Sequence, residues 1–186
     1  MRQLSTDEKK ELISLVRKVI EEKLFAKSKL LPKLDSPIFK EKKGAFVTIR
    51  KLDNLRGCIG VIEAKDPLNV VIERMAYSSA FEDPRFSPLT REEYPNINIE
   101  ISVLSKPHKV NSPNEVIVGK HGIIISHDHR RGLLLPQVAV ENNWDREEFL
   151  NHGCIKAYLA PDKWKDDAII EVFEADVFSE KDFNKL

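Results

Sequence analysis

Four residue types in this chain could do chemistry, and they fall in a few short segments. Residues 55–60 read LRGCIG. Cys58 stands between Gly57 and Gly60, with Arg56 two positions before it. Glycine inside an apolar strand marks a bulge, or a close approach by another backbone or a ligand. A guanidinium near a thiol lowers its pKa, and the thiolate is the reactive form. Positions 56 and 58 of a regular strand share a face, so the spacing predicts Arg56 on the side of the Cys58 thiol. The competing reading is a small buried cysteine, a common core residue.

The second segment, residues 78–89, reads SSAFEDPRFSPL. Asp83 and Arg85 bracket Pro84, so a rigid turn presents opposite charges, with Phe81 and Phe86 as apolar anchors. Either a ligand site or a structural salt bridge at a helix exit fits this pattern. Among the histidines, His121 precedes Gly122 at a strand start and is the candidate acid or base. His127 and His129 are two apart, a spacing that can bind metal, but their setting HDHRR predicts an exposed hairpin tip. Gln137, in LLLPQVAV, could face a ligand. No metal site is expected, since HExxH and cysteine–histidine zinc spacings are missing. No cofactor is expected either, because neither a GxGxxG nor a P-loop pattern occurs, and there is no GxSxG elbow. Two cysteines exclude a disulfide framework. A single Cys58–Cys154 bridge stays open.

The elements that must position these residues follow from periodicity. Ser5 and Glu8 form a capping box, and Leu12, Leu15, Val16, Val19, Ile20 and Leu24 recur at helical spacing, so a helix is predicted over 5–27. Pro32 and Pro37 mark residues 30–43 as a connection. Residues 44–50 and 55–62 read as a hairpin turning at Asp53-Asn54. Asp66-Pro67 predicts a helix start with Asp66 as N-cap, and that helix should stop before Pro84. Thr90 and Glu93 form a second capping box over a short helical turn. Ile97, Ile99, Ile101 and Val103 alternate with polar residues as a half-buried strand. Ser112-Pro113 starts a short helix that Gly119 can close. Residues 122–126 and 132–135 flank HDHRR as a hairpin, 138–142 look helical, and Asp145 with Glu148 caps a helix running to Cys154. Residues 168–178 form the last strand. Hairpins mixed with helices, without regular βαβ alternation, define an α+β class with an antiparallel-rich sheet flanked by helices.

With 186 residues, the chain is long enough for one domain with a real core. It is 41% hydrophobic and 32% charged, an ordinary globular composition. Thirty basic residues balance thirty acidic ones, so there is no overall basic field for gripping nucleic acid. Residues 1–51, however, carry 14 Lys and Arg against 7 Asp and Glu. That surplus implies internal complementarity, a charged partner surface or a solvated helix face. No apolar run approaches the ~20 residues of a membrane span, and MRQLSTDEKK lacks the apolar core of a signal peptide, so a cytoplasmic protein is expected. Abundant Lys, Glu and Ile with only Gln3 and Gln137 is a bias of proteins from hot environments.

In order, LRGCIG, SSAFEDPRFSPL, HGI, LLPQVA, a Trp-Asp pair and a late Cys-x-Lys resemble the AMMECR-one family, over roughly residues 44–164. The resemblance implies a single domain spanning 1–186, built of a larger lobe around an antiparallel sheet and a smaller α/β lobe. It implies a cleft holding Arg56, Cys58, Asp83, Arg85 and His121. It also implies a link to Memo-type and radical-SAM proteins, which are joined to or encoded with some microbial relatives. It implies no settled enzymatic activity. Three functions remain open on the residues. One is a binding or regulatory module in which Gly57 and Gly60 admit a partner protein or small anionic ligand, held by Arg56, Asp83 and Arg85. Another is an enzyme or redox protein with Cys58 as nucleophile and His121 as acid or base. The third, disfavoured by the neutral charge, is nucleic-acid binding through the basic N-terminal region.

Overall fold

The computed structural model describes residues 2–26 and 34–183. Pro32, part of the predicted connection, lies outside these residues. The protein is α+β, with seven strands and four α-helices among the described residues. It divides into two compact units, Arg2–Leu104 with Asp176–Leu186, and Ser105–Ala175.

The first unit is built on three antiparallel strands, β1 (Ala45–Lys51), β2 (Asn54–Val61) and β3 (Ile97–Leu104), in the order β2-β1-β3 with β2 at the edge. The strand alternation works as read from the sequence: Ala45, Val47 and Ile49 lie opposite Val103, Ile101 and Ile99, and all six are buried. Two helices cover this face, α1 (Thr6–Phe25) and α2 (Leu68–Phe81). The Ser5–Glu8 capping box starts α1, and Ala26 ends it in the left-handed conformation. Its stripe of Leu12, Leu15, Val16 and Ile20 is fully buried, and each large apolar side chain so placed contributes about 1.5–3 kcal/mol of transfer energy.

Asp66 does not cap α2. Pro67 occupies the cap position, the Leu68 N–H donates to the Glu41 carbonyl (2.9 Å), and Asp66 instead accepts from Arg74 (2.9 Å). A carbonyl from another segment supplies what the sequence assigned to a local side chain, because either acceptor satisfies the orphan amide. The basic surplus of the N-terminal region is answered within this unit: Lys9 pairs with Asp176 (2.7 Å), and Arg17 pairs with Glu180 (2.6 Å) while also donating to the Tyr94 and Ile97 carbonyls.

The second unit holds β4 (His108–Lys109), β5 (His121–His127), β6 (Arg130–Leu134), most of β7 (Ile169–Ser179), α3 (Pro136–Glu141) and α4 (Arg146–Lys156). β5 pairs with both β6 and β7, and β4 with β7, all antiparallel. The HDHRR tip is a two-residue turn, with Asp128 at φ 53°. The Asp145–Glu148 capping box starts α4. Its buried side, including Phe149, Leu150 and Cys154, packs on Ile123, Ile125 and Val172. Periodicity gave no sign of β4, since a two-residue strand has no pattern of its own and exists only through its pairing with β7.

Candidate functional site

LRGCIG forms most of the edge strand β2. Its register against β1 runs Thr48 opposite Cys58 and Ile49 opposite Gly57, then slips, so that Arg50 faces Leu55 and Arg56 faces no residue of β1. This bulge breaks the regular alternation assumed from the sequence. Arg56 is therefore re-aimed. Its guanidinium grips Glu93 through two bonds (3.0 and 2.9 Å) and reaches the Ser87 and Pro88 carbonyls. Lys51 adds a third contact to Glu93 (3.1 Å), and the Thr90 N–H a fourth (3.2 Å). The Arg56 hydrogen bond in particular pulls the Glu93 carboxyl down to a pKa of about 2. Only 12% of the Arg56 side chain is exposed.

The two glycines of the motif are sites of close approach, and the chain itself makes both approaches. A Cβ on Gly57 would lie 2.1 Å from the Ser79 carbonyl oxygen of α2, and one on Gly60 would lie 2.2 Å from the Phe46 ring. At Gly57 the helix rests directly on the strand. There the buried Ser79 hydroxyl accepts from the Ile59 N–H (2.9 Å) and donates to the Val47 carbonyl (2.7 Å), linking β2 and β1 from above.

The outer edge of β2 is met by the Asp83–Arg85 turn. Asp83 accepts the Cys58 N–H (2.8 Å), and Arg85 Nη2 donates to the Cys58 carbonyl (3.0 Å). The two side chains are joined by bonds of 2.9 and 2.7 Å, and Asp83 also accepts the Arg85 N–H. Together they satisfy both outward backbone groups of Cys58, as a neighbouring strand would. Asp83 is 2% exposed and Arg85 53% exposed. The Arg85 guanidinium first, then the Cys58 amide, hold the Asp83 carboxyl far below the usual carboxylate range, although burial opposes them. The same pairing raises Arg85. Phe86 anchors this turn between two cations, with the Arg56 and Arg85 guanidinium carbons 5.8 and 5.5 Å from its ring centre.

The Cys58 side chain points away from the helices, on the face that also carries Thr48 and Glu100 in one transverse row. It is partly exposed, and the Thr48 hydroxyl donates to its sulfur (3.3 Å). Both cysteines are free thiols, so no Cys58–Cys154 bridge is present. Cys154 is fully buried in the second unit, and burial pushes its thiol up.

His121 belongs to the second unit, at the head of β5. Its Nδ1 accepts the Ile117 N–H (3.3 Å), which leaves the proton of the neutral ring on Nε2. Burial first, then Lys120, lowers its pKa. Thus Arg56, Gly57, Cys58, Gly60, Asp83 and Arg85 come together in the first unit, and His121 has its own surroundings in the second. His127 of the hairpin tip contacts Asp128 and Asp167 (3.3 and 3.2 Å). Among the described residues no group of three or more His, Cys, Asp or Glu gathers as for a metal ion. The buried Gln137 Oε1 has no hydrogen-bond partner. Three participants escaped the sequence reading in their roles: Glu93, taken only as part of a cap; Ser79, taken as one side of a helix; and Thr48, an unremarked strand residue. Charge balance for Arg56 was the one available signal, and it pointed equally to several acids.

An edge strand carrying LRGCIG, latched by the turn after the first-unit helix, places the chain in a class of two-unit α+β proteins. The AMMECR1 family model matches residues 13–178, and the chain belongs to that family. It is 44% identical over 177 residues to the protein NEQ441 of Nanoarchaeum equitans, covering 91% of this chain and 98% of the relative. It is 43% identical over 189 residues to the protein MJ0810 of Methanocaldococcus jannaschii, covering 97% and 94%. The crystal structure of the uncharacterized protein PH0010 from Pyrococcus horikoshii superposes with a TM-score of 0.86 at 38% identity, covering 96% of this chain and 94% of that one. These archaeal relatives agree with the Lys-, Glu- and Ile-rich composition. Among the described residues no helix is long and apolar enough to cross a membrane.

Proposed function

We propose that this protein is a binding or regulatory module whose contact point is the Arg85 guanidinium at the edge of β2, taking a small anion or a carboxylate of a partner protein. The observation that supports this is the asymmetry of the latch. Asp83 is buried and fixed on the Cys58 amide, while the larger part of Arg85 faces outward on that rigid mount. A guanidinium held by its Nε and Nη2 is pre-oriented, so less freedom is lost when it takes a planar oxyanion. Arg56 supports the site by holding Phe86 and the 87–88 backbone, and Gly57 supports it by letting α2 approach. Titration of inorganic phosphate and of acetate into the protein, followed by the backbone amide NMR signals of Cys58, Asp83 and Phe86, tests the reading. Saturable shifts are expected in the wild type and in Cys58→Ser, and their loss in Arg85→Gln. Equal shifts in Arg85→Gln, or none in the wild type, would overturn it.

A second reading rests on Cys58 itself. Cys58 is a partly exposed residue and its sulfur is touched by a hydroxyl, which favours a thiol that an electrophile can reach. Peptide-resolved alkylation against pH decides this reading. Fast labelling of native Cys58 near pH 6 supports thiolate chemistry, since an unperturbed thiol titrates near pH ~8.5. Labelling only after unfolding removes it.

A further inference from the structure

The latch at Cys58 closes one step of the β2 edge and leaves the next one open. β2 is the outer strand of its sheet. The Cys58 N–H and C=O point outward, to Asp83 and Arg85, whereas the Ile59 N–H points inward, to the Ser79 hydroxyl that bridges it to the Val47 carbonyl of β1. Inward and outward residues alternate along an antiparallel strand, so Gly60, opposite Phe46, presents its N–H and C=O outward. Among the described residues no side chain meets the Gly60 groups as the latch meets those of Cys58. Gly60 is half-buried, and its neighbours Ile59 and Val61, which face the helices, are only partly covered by the core. At the Cys58 end of this open step stands the Arg85 guanidinium, 53% exposed. Its Nε and Nη2 are engaged, and Nη1 has no partner among the described residues.

From this we infer that the β2 edge takes the C-terminus of an extended partner peptide, which adds antiparallel at Gly60 and sets its terminal carboxylate against Arg85. The inference rests on the anion reading at Arg85 and names the anion. Charge fixes the direction. β2 runs from Cys58 towards Val61, so an antiparallel peptide ends on the Cys58 side, where the guanidinium lies. A parallel one would begin there and set its ammonium group against a cation. Pairing then fixes the register. The penultimate residue exchanges both bonds with Gly60, donating its N–H to the Gly60 carbonyl and accepting the Gly60 N–H. The last residue lies beside Ile59 and the third from the end beside Val61, on the helix side of the sheet, so both should be apolar. The carboxylate of that last residue falls level with Cys58, whose carbonyl already holds Arg85 Nη2.

The test is selection from a library of hexapeptides with free C-termini, against the whole chain. Apolar residues should be enriched at the last and third-from-last positions. Amidating the C-terminus of the selected peptide, N-methylating its penultimate residue, or the substitution Arg85→Gln should each weaken binding by about tenfold or more. The first two changes are made on the peptide, so the fold of the protein is untouched by them. The Gly60 amide should become protected from hydrogen exchange when the peptide binds. If acetate shifts the Cys58, Asp83 and Phe86 amides but no peptide is selected, the inference is overturned while the anion reading stands. The same holds if the amidated or N-methylated peptide binds as well as its parent. If acetate gives no shift either, both fall. Gly60 protection that rises with protein concentration alone would overturn the inference in favour of a second copy of this chain pairing at β2.

Discussion

Arg56 and Arg85 carry the same group and flank the same Phe86 ring, yet the protein uses them in opposite ways. Arg56 sits on a bulge, 12% exposed, with its guanidinium spent on Glu93 and two carbonyls. Arg85 is 53% exposed, and the buried partner of its pair is the carboxylate. The first pair shelters both charges, Glu93 being 17% exposed, whereas the second shelters only its carboxylate. At Glu93 the fold holds a cation close in and closes the region. At Asp83 the fold holds an anion close in and presents a cation outward. An arginine can be structural or ligand-facing according to whether it is desolvated together with its partner, because a sheltered charge is the one the structure cannot release without a large cost.

The largest effect should come from moving α2 away from β2. Gly57→Ala places a methyl group 2.1 Å from the Ser79 carbonyl, and backbone cannot yield as a flexible side chain would. We expect a loss of about 3 kcal/mol or more in chemical denaturation. The Asp83 latch, carried by the end of α2, should be disturbed while the Arg56–Glu93 clamp survives. Retained stability would show that the helix slides freely over the strand.

Removing the buried acid comes next. Asp83→Ala leaves the Cys58 N–H without its acceptor and Arg85 without its carboxylate, for an expected ~2–4 kcal/mol. Arg85→Ala should cost less, about 1–2 kcal/mol, because Asp83 keeps the Cys58 amide and the residue-85 amide as donors. If Arg85→Ala is the more damaging of the two, the contrast between sheltered and presented charge fails.

Acid titration sharpens the same contrast. The Glu93 and Asp83 carboxyls both have lower pKa values folded than unfolded, so at intermediate pH the unfolded chain binds more protons and stability falls with falling pH. Their contribution is complete above the unfolded carboxyl range of about 4–4.5. It drains away as pH falls towards about 2 for Glu93, and lower still for Asp83. Stability measured by urea unfolding from pH 6 to pH 2.5 should fall steeply below pH ~4.5, and less steeply in Glu93→Gln. An unchanged slope in that variant would assign the acid sensitivity elsewhere.

The smallest effect separates the two thiols. Cys154 is wholly buried and its thiol is pushed up by burial, so it should label only on unfolding. Cys58, partly exposed, should label in the native protein. Cys58→Ser should cost ~1 kcal/mol or less. Labelling of native Cys154 would mean that the second unit opens locally.

Much of this arrangement was legible in residue order. The α1 stripe, the alternation of β3, the β1–β2 hairpin, the exit before Pro84 and the capping boxes at Ser5 and Asp145 are local patterns, and they place LRGCIG on a strand and Asp83–Arg85 at a helix end, although the hairpin turns at Leu52-Asp53, one residue before the expected Asp53-Asn54. The glycines were readable as close approaches, though not what would approach them. Asp66 misled because its cap was supplied by Glu41, and Arg56 misled because a bulge displaced it.

The sequence by itself determined the elements other than β4, the antiparallel α+β class, the family membership and the few side chains able to do chemistry, because these follow from short-range periodicity and from residue identity. Tertiary structure alone decided which carboxylate each arginine meets, that Thr48 rather than a histidine touches the Cys58 sulfur, and that the thiols stay free. Ion pairing and desolvation depend on distances between segments far apart in the chain, and a pattern along one dimension does not carry those distances.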